Sequence, residues 1–315
     1  MRQKIFFAFV ILGLTAVVTG AQPPRRAIAI TIDDLPVSSA RGDIGTLREI
    51  TKNLLAKIKA ANVPAIGFVN ETQLYHDEMR DEPEVDLLRE WLDAGLELGN
   101  HTFSHHSIND GLEAYEVDIL KGEPITKELL AKYGKEMRYF RHPYLDTGLT
   151  LKIKSDFNRF LKEHGYIIAP VTMDNSDWIF ADAYEKAFVS GDAKLMKRIG
   201  TAYVPYVRSK MVYWERQSVR LFGREIRQII LLHANFINSV YLGDLVRMLK
   251  RRGYRFVSLA DAMRDKAYRL PDRYIQPGGI SWLHRWALAK GKGYLLPGEP
   301  LTPKFVMKAA GVESE

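Results

Sequence analysis

Cysteine is absent from all 315 residues of this sequence. Thiol catalysis, disulfide bonds and cysteine-ligated metal sites are therefore excluded, and the fold must depend on its hydrophobic core. With 46% hydrophobic residues, a chain of this length can bury the core of one large domain or two ordinary ones. Internal repeats, low-complexity tracts and recognised nucleic-acid-binding motifs are also missing, so nucleic acid is not expected as a partner.

Long apolar stretches are few, and one of them lies at the N-terminus. The stretch Ile5–Val18 follows Arg2 and Lys4 and is followed by the small residues 19–21. A charged start, an apolar middle and a small-residue end predict a signal peptide over residues 1–21, cleaved near Ala21. The stretch is short for a stable membrane span, so an uncleaved anchor is the less favoured alternative. We therefore expect an exported protein, periplasmic or extracellular.

The net charge is positive, and it stays positive after signal cleavage. Loss of Arg2 and Lys4 lowers the formal charge from +7 to +5. A basic exported protein would associate with an anionic cell wall or membrane surface, or its charge would serve only solubility. Composition leaves both interpretations open.

Strand-like apolar runs alternate with helical segments, and this order indicates a parallel sheet or a (β/α) barrel. Several runs lead to a polar residue of catalytic type. These residues are Asp33, His101, Arg141, Asp174 and His233. The carboxyl ends of parallel strands share one face of a barrel, so we expect these side chains to converge.

The first of these strand ends carries two adjacent carboxylates, Asp33 and Asp34. Strands tolerate the preceding β-branched run well and tolerate Asp poorly, so the pair marks the end of a buried strand. Two carboxylates at such an edge can have separate roles, one as a metal ligand and the other as a proton acceptor. Neighbouring side chains in a regular strand point in opposite directions, so the chain must turn at the pair for both to serve one site.

Two histidines four residues apart, His101 and His105, are candidate metal ligands. This spacing places both rings on one face of either a helix or a strand, whereas His106 is out of phase. Two histidines and one carboxylate, with one open position, form a catalytic zinc arrangement. The alternative is a polar loop that happens to contain three histidines.

Three further segments carry candidate substrate or acid–base residues. In Arg141–Tyr144 the arginine would lower the pKa of a nearby carboxyl group, unless it forms only a surface ion pair. In Asp174–Trp178 the tryptophan offers a flat apolar face to a sugar or an acetyl methyl, unless it is a core residue, and the aspartates also suit a turn. His233 ends an apolar run and would protonate a leaving group, unless it is only structural.

Together these motifs resemble the polysaccharide deacetylases with a NodB-homology domain, which form carbohydrate esterase family four. The resemblance covers roughly Ala27 to Met263, and five motifs occur in the family's order. They are Thr31–Asp34, His101–His105, Arg141–Tyr144, Asp174–Trp178 and Leu231–His233. The resemblance implies a distorted (β/α) barrel with fewer than eight strands. It also implies a catalytic domain over residues 22–265, followed by a C-terminal extension over residues 266–315. Glycines and prolines interrupt this extension, so we expect it to be mostly irregular.

The resemblance further implies a divalent metal, zinc above all and otherwise cobalt, nickel or manganese. Asp34, His101 and His105 would bind it, and Asp33 would be the general base toward a metal-bound water. His233 would be the general acid, tuned by Asp174, while Arg141 would orient Asp33. Tyr144, Trp178 and Leu231 would line the substrate site, with a backbone N–H near Tyr144 helping the oxyanion.

The chain departs from the family pattern in two places, at the aspartate pair and between the fourth and fifth motifs. Leu35–Pro36 replaces the usual Gly-Pro after the aspartate pair, and Ile32 replaces the usual Phe. The second departure is a long, aromatic-rich segment at about residues 179–228, predicted to be a helical insertion. Its aromatic side chains would form either a wall over the cleft or a packing face of their own, and we favour packing.

The leading function from sequence is removal of N-acetyl groups from glycans that contain N-acetylglucosamine, such as peptidoglycan or chitin. This is hydrolysis of a linear amide, a carbon–nitrogen bond that is not a peptide bond. An O-acetyl esterase acting on xylan is the alternative on the same site. A non-catalytic wall-binding protein is the third hypothesis, but it predicts lost ligands, and none is missing from the motifs.

Overall fold

A curled parallel sheet forms the centre of the protein, and its longest strand begins at the first described residue. The computed structural model describes residues 26–315, so the predicted signal peptide lies outside the described residues. The strands are β1 (Arg26–Leu35), β2 (Ile66–Val69), β3 (Tyr75–His76), β4 (Met79–Arg80), β5 (Glu97–Asn100), β6 (Tyr139–Phe140), β7 (Ile167–Ile168), β8 (Gln228–His233) and β9 (Tyr254–Phe256). Strands β3 and β4 form a separate antiparallel hairpin, and all other strand pairs are parallel.

The main sheet has the order β7-β6-β5-β2-β1-β8, and β9 pairs with the start of β1. The chain after β7 then runs along β8, because Met173 forms a parallel bridge with Ile230. The N–H of Met173 donates to Ile229 O at 3.0 Å, and the N–H of Leu231 donates to Met173 O at 3.1 Å. These bonds join the two edges of the sheet. The predicted distorted barrel with fewer than eight strands is therefore confirmed.

Helices cover the outside of the sheet, as the alternating pattern predicted. They are α1 (Ile44–Ala61), α2 (Glu82–Asp93), α3 (Leu112–Lys121), α4 (Pro124–Lys132), α5 (Leu151–Glu163), α6 (Asp177–Val189), α7 (Ala193–Phe222), α8 (Phe236–Arg251), α9 (Leu259–Met263), α10 (Trp282–Ala289) and α11 (Lys304–Ala310). Helix α1 illustrates how the sequence specifies a helix. Asp43 caps it by accepting the N–H of Thr46 at 2.9 Å, and its apolar side chains recur at helical spacing on the buried face. None of the helices in residues 26–315 is long and apolar enough to cross a bilayer.

The segment predicted as a helical insertion forms most of α6 and all of α7. Tyr203, Tyr206, Tyr213 and Trp214 are buried in α7, so the favoured packing interpretation describes them correctly. The indole N–H of Trp214 donates to Asp174 O at 2.7 Å. Helices α6 and α7 thus support a loop that reaches the barrel end, and the aromatic side chains of α7 form a packed layer.

The C-terminal extension is more ordered than the sequence suggested. Its glycines and prolines predicted a mostly irregular tail, but α10 and α11 form between them. Trp282 and Trp286 are buried in α10, and α11 packs against α6. The helix breakers lie in the connections, where they end the short helices without preventing them.

Candidate active site

A cavity of about 460 Å³ opens where strands β1, β5 and β8 end. It is lined by Asp33, Asp34, His101, His105, His142, Tyr144, Leu145, Asp174, Trp178, Leu231, His233 and Gly279. Four of the five polar residues expected at strand ends are therefore on its wall. The fifth, Arg141, is fully buried behind Asp33. The sequence prediction that these residues converge describes the structure correctly.

The chain turns at the aspartate pair, as their joint use requires. Asp34 has φ +63°, in the left-handed region that most residues avoid, and the pairing of β1 with β2 shifts register between Ile32 and Leu35. Asp33 still pairs with His233 across β1 and β8. Both carboxylates consequently reach the same cavity from adjacent positions.

Asp34, His101 and His105 present three ligand atoms that all lie within 4.8 Å of one another. The Nε2 atoms of both histidines are 3.5 Å from Asp34 Oδ1. Asp34 Oδ1 is buried and has no hydrogen-bond partner within residues 26–315. An orphaned carboxylate oxygen between two imidazole nitrogens fits a divalent cation, and two His with one Asp is a known donor set for zinc.

A turn between His101 and His105 brings both rings to the site, and neither residue lies in a helix or strand. Thr102 and His105 have φ +65° and +57°, and the N–H of His105 donates to Thr102 Oγ1 at 2.9 Å. His101 Nδ1 donates to Arg141 O at 2.8 Å, which leaves Nε2 with its lone pair toward Asp34. Burial lowers the pKa of His101 well below its ordinary value, and so keeps this ring neutral. His106 is exposed outside the cluster.

Asp33 is buried beside Arg141, whose Nη1 donates to Asp33 Oδ2 at 3.3 Å. Arg141 Nη2 donates to Thr31 Oγ1 at 3.0 Å, so two neighbouring residues on one face of β1 hold the guanidinium. Burial raises the pKa of Asp33 to about 7, although Arg141 and His233 act in the opposite direction. The second oxygen, Oδ1, has no hydrogen-bond partner in the described part of the chain. This oxygen is free to accept a proton.

The carboxylate beside His233 is Asp177, and the expectation that Asp174 tunes this histidine is wrong. Asp177 Oδ1 lies 2.7 Å from His233 Nδ1, and Oδ2 accepts the His233 N–H at 2.9 Å. Asp174 lines the cavity, but its Oδ1 caps the following turn by accepting the Ser176 N–H at 3.2 Å. The turn at residues 174–176 carries the chain to the start of α6, where Asp177 faces the end of β8. Both aspartates stand in the motif, and only their three-dimensional order separates their roles.

Asp177 sets the protonation of His233. Burial alone lowers the pKa of this histidine, but the Asp177 charge and hydrogen bond, helped by Asp34 and Asp33, outweigh it and raise the pKa to about 10. Asn238 Nδ2 also donates to Asp177 Oδ2 at 2.5 Å, which holds the carboxylate in place. His233 is consequently cationic at neutral pH, with Nδ1 bound to Asp177.

The expected substrate residues border the same cavity. Tyr144 and Trp178 are 62% and 48% exposed, so Trp178 is not a core residue. The Tyr144 ring stands edge-on to His105 with centroids 4.5 Å apart. Leu231 is buried at the cavity floor, with its carbonyl accepting Asn175 Nδ2 at 2.5 Å. Gly279 also reaches the cavity, from the C-terminal extension, and no sequence pattern predicted it as a site residue.

The unusual Leu35 does not face the substrate. It is fully buried and packs against Gly67 of β2, where a Cβ would lie only 2.4 Å from a Leu35 methyl. The larger side chain after the aspartate pair thus fills the space of a missing side chain on the neighbouring strand. This departure from the family pattern is a core substitution.

Comparison with known proteins adds to this geometry. Residues 20–167 match the family model described as polysaccharide deacetylase. No functionally curated protein matches the sequence significantly. Among solved structures, a BA3943 mutant, a CE4 family pseudoenzyme with restored enzymatic activity, superposes with a TM-score of 0.52 at 16% identity, covering 77% of this chain and 69% of that chain.

Two further structures share the fold. The polysaccharide deacetylase Bc1974 from Bacillus cereus has a TM-score of 0.51 at 18% identity, covering 74% of this chain and 92% of that chain. The wild-type pseudoenzyme BA3943 from Bacillus anthracis has a TM-score of 0.50 at 16% identity, covering 77% of this chain and 66% of that chain. Residues 20–167 thus match the polysaccharide deacetylase family, and the fold of the chain is that of these carbohydrate esterase family four structures.

Proposed function

We propose that this protein is a metal-dependent hydrolase that removes N-acetyl groups from a glycan containing N-acetylglucosamine. One observation carries the proposal. A single cavity holds a set of metal-ligand atoms, a buried carboxylate with a free oxygen, and a histidine paired with Asp177. Amide hydrolysis needs these three functions within reach of one carbonyl group.

Asp34, His101 and His105 would hold the metal. When bound there, a divalent cation such as zinc supplies Lewis-acid polarisation of the acetyl carbonyl and favours deprotonation of water. Cobalt, nickel and manganese accept the same nitrogen and oxygen donors.

Asp33 would take a proton from the attacking water on its free oxygen, Oδ1. Arg141 keeps the other oxygen, Oδ2, occupied and so orients the carboxylate toward the cavity. The water oxygen forms a bond to the acetyl carbon while one of its protons passes to Asp33. A pKa of about 7 suits a base that works near neutral pH.

His233 would protonate the leaving amine as the carbon–nitrogen bond breaks. Its Nδ1 is bound to Asp177, so Nε2 carries the proton that can be transferred. The products are the free amine on the sugar and acetic acid. Afterwards Asp33 holds one extra proton and His233 lacks one, and transfer of that proton through solvent restores both groups.

A glycan fits the surroundings of this site. A second cavity, of about 540 Å³, shares Asp34, His105 and Trp178 with the first and continues along the surface. Its lining includes hydroxyl and amide side chains from Ser38, Ser39, Asn70, Thr72, Gln73 and Asn235. Exposed aromatics beside such polar groups suit sugar rings, which have apolar faces and hydroxyl edges. We therefore propose a substrate that extends beyond one sugar.

The N-terminal sequence supports export, and an exported deacetylase would meet a cell-wall glycan. The basic net charge would favour an anionic wall or membrane surface. Secretion with and without residues 1–21 tests this part of the proposal. Equal export of both forms would contradict it.

Acetate release from a panel of acetylated glycans tests the activity. The panel should contain N-acetyl chitooligosaccharides, peptidoglycan and acetylated xylan, each assayed with one equivalent of zinc. We expect release from the first two substrates. Release from xylan alone would establish the O-acetyl esterase, and no release from any substrate by the metal-loaded protein would establish a binding protein.

A further inference from the structure

The C-terminal extension contributes directly to the wall of the active site. Gly279 lines the catalytic cavity next to Tyr144 and Leu145. A Cβ on Gly279 would lie 1.9 Å from Tyr144 O and 2.5 Å from the Leu145 carbonyl carbon. Only a residue without a side chain permits this backbone contact. The extension therefore touches the main chain of the loop that presents Tyr144.

Arg285 in α10 forms hydrogen bonds to the same loop from the protein interior. Its guanidinium is buried, and Nη2 donates to Leu145 O. Nη1 donates to Thr147 Oγ1 at 2.5 Å and to Asp272 Oδ2 at 2.7 Å. A planar guanidinium with fixed donors suits this multiple contact, and a lysine would replace only part of it.

Asp272 completes the attachment on the extension side. Its Oδ2 also accepts from Thr147 Oγ1 at 2.8 Å and from Lys154 Nζ at 2.7 Å. Lys154 belongs to α5 and is buried, so the carboxylate joins the extension to the barrel as well as to the loop. Asp272 is half-buried between the two buried cations, and its removal would leave both Lys154 and Arg285 without this carboxylate partner.

The loop held in this way has an unfavourable backbone conformation. Tyr144 and Leu145 have φ +54° and +57°, so two successive residues with side chains occupy the left-handed region. Such conformations persist where surrounding contacts fix them. The Gly279 and Arg285 contacts fall on these same two residues, and the fixed conformation places the Tyr144 ring beside His105.

We propose that Gly279 and Arg285 are positioning residues, through which the C-terminal extension holds Tyr144 in its substrate-binding position over the metal ligands. This inference rests on the proposed function for its kinetic consequence. Its structural consequence, a fixed loop at residues 142–148, is independent of the reaction.

The first test uses Gly279→Ala, with Gly293→Ala as the matched control. The added methyl at position 293 would approach Leu288 no closer than 3.4 Å, so the control keeps the extension intact. Hydrogen exchange measured by mass spectrometry should become faster at residues 142–148 in Gly279→Ala and stay unchanged in Gly293→Ala. Unchanged exchange in Gly279→Ala would overturn the proposal, whether or not the protein is active.

The second test is kinetic and separates positioning from general loss of stability. In a metal-loaded protein with unchanged metal content, Gly279→Ala should lower kcat/KM about 100-fold, because a displacement near 1 Å costs that much. In a Tyr144→Ala background the same change should have almost no further effect. Independent, multiplicative losses in the double variant would show that Gly279 does not act through Tyr144.

Arg285 provides a second route if the glycine variant folds poorly. Arg285→Met should raise KM for an N-acetyl chitooligosaccharide, and Arg285→Lys should restore part of the loss. Equal KM values for wild type and Arg285→Met would contradict the role of Arg285. A wild-type protein that releases no acetate from any substrate would refute the proposed function and leave the exchange experiment decisive for the loop.

Discussion

Asp177 Oδ1 lies 2.7 Å from His233 Nδ1, and the second oxygen of Asp177 accepts the main-chain N–H of the same histidine. One carboxylate therefore fixes both the ring and the strand end that carries it. With Nδ1 engaged, Nε2 is the nitrogen available to a substrate. This arrangement selects the tautomer and favours the cationic ring, which a general acid requires.

Replacing Asp177 with Asn should remove most of this acid function. We expect kcat to fall about 100-fold or more, since general acid catalysis contributes on that order. The matched control is Asp174→Asn, which removes a carboxylate charge at the cavity, keeps an amide oxygen to accept the Ser176 N–H and leaves the His233 partner in place. Acetate release and circular dichroism should be measured for both variants. A loss in Asp174→Asn equal to that in Asp177→Asn would contradict the assigned pairing.

The same pair predicts the alkaline side of the pH profile. His233 must be protonated to act, and its pKa is raised to about 10 by Asp177 and the other aspartates. Activity should therefore persist above neutral pH and fall as the pH rises toward that value. In Asp177→Asn the fall should begin at lower pH, because the main cause of the raised pKa is gone. Identical alkaline limbs for the two proteins would rule out His233 as the titrating acid.

Asp33→Asn tests the base separately from the metal. The amide cannot accept the proton from water, so acetate release should be lost, while Asp34, His101 and His105 keep their ligand atoms. Metal content by mass spectrometry or elemental analysis should remain at one equivalent. Wild-type acetate release by Asp33→Asn would remove Asp33 from the mechanism. Loss of the metal would instead mean that Asp33 helps to bind it.

His284 makes the folded state sensitive to acid at a point away from the catalytic cavity. Burial lowers its pKa to about 4 in the folded protein, against an ordinary value of 6.5, and its Nε2 is 2.7 Å from the Tyr213 hydroxyl. The unfolded chain binds the proton first as the pH falls. Stability should therefore decrease between pH 6.5 and 4 by up to about 3 kcal/mol from this group.

Urea unfolding at several pH values measures this contribution. His284→Gln should flatten the dependence between pH 6.5 and 4, whereas His76→Gln, which changes an exposed side chain, should leave it as in wild type. An unchanged slope in His284→Gln would assign the acid sensitivity to other groups.

The sequence predicted those parts of the site that follow from local pattern. Apolar β-branched runs that end at Asp33 and His233 identify strand ends, and parallel strands bring such ends together. The sequence also predicted the turn at Asp34. Neighbouring side chains in a regular strand point in opposite directions, so the main chain must turn for both to reach one cavity. The burial of the α7 aromatics followed from their helical spacing.

Other parts depend on contacts that local pattern does not encode. Asp174 and Asp177 have the same side chain, and the turn between them decides which one reaches His233. Gly279 lies far from Tyr144 in the sequence. Its role depends on having no Cβ, because a Cβ would collide with the main chain of Tyr144. Leu35 follows the aspartate pair in the sequence, yet it packs inward against Gly67. In each case a tertiary neighbour determines the role.

Deacetylation should depend on a metal held by Asp34, His101 and His105. The most direct measurement is acetate release from an N-acetyl chitooligosaccharide by purified protein before chelation, after chelation and after return of one equivalent of zinc. We predict loss on chelation and recovery with zinc, and no recovery in His105→Ala. Undiminished release by the chelated protein, or no release by protein shown to hold one equivalent of metal, would contradict the account.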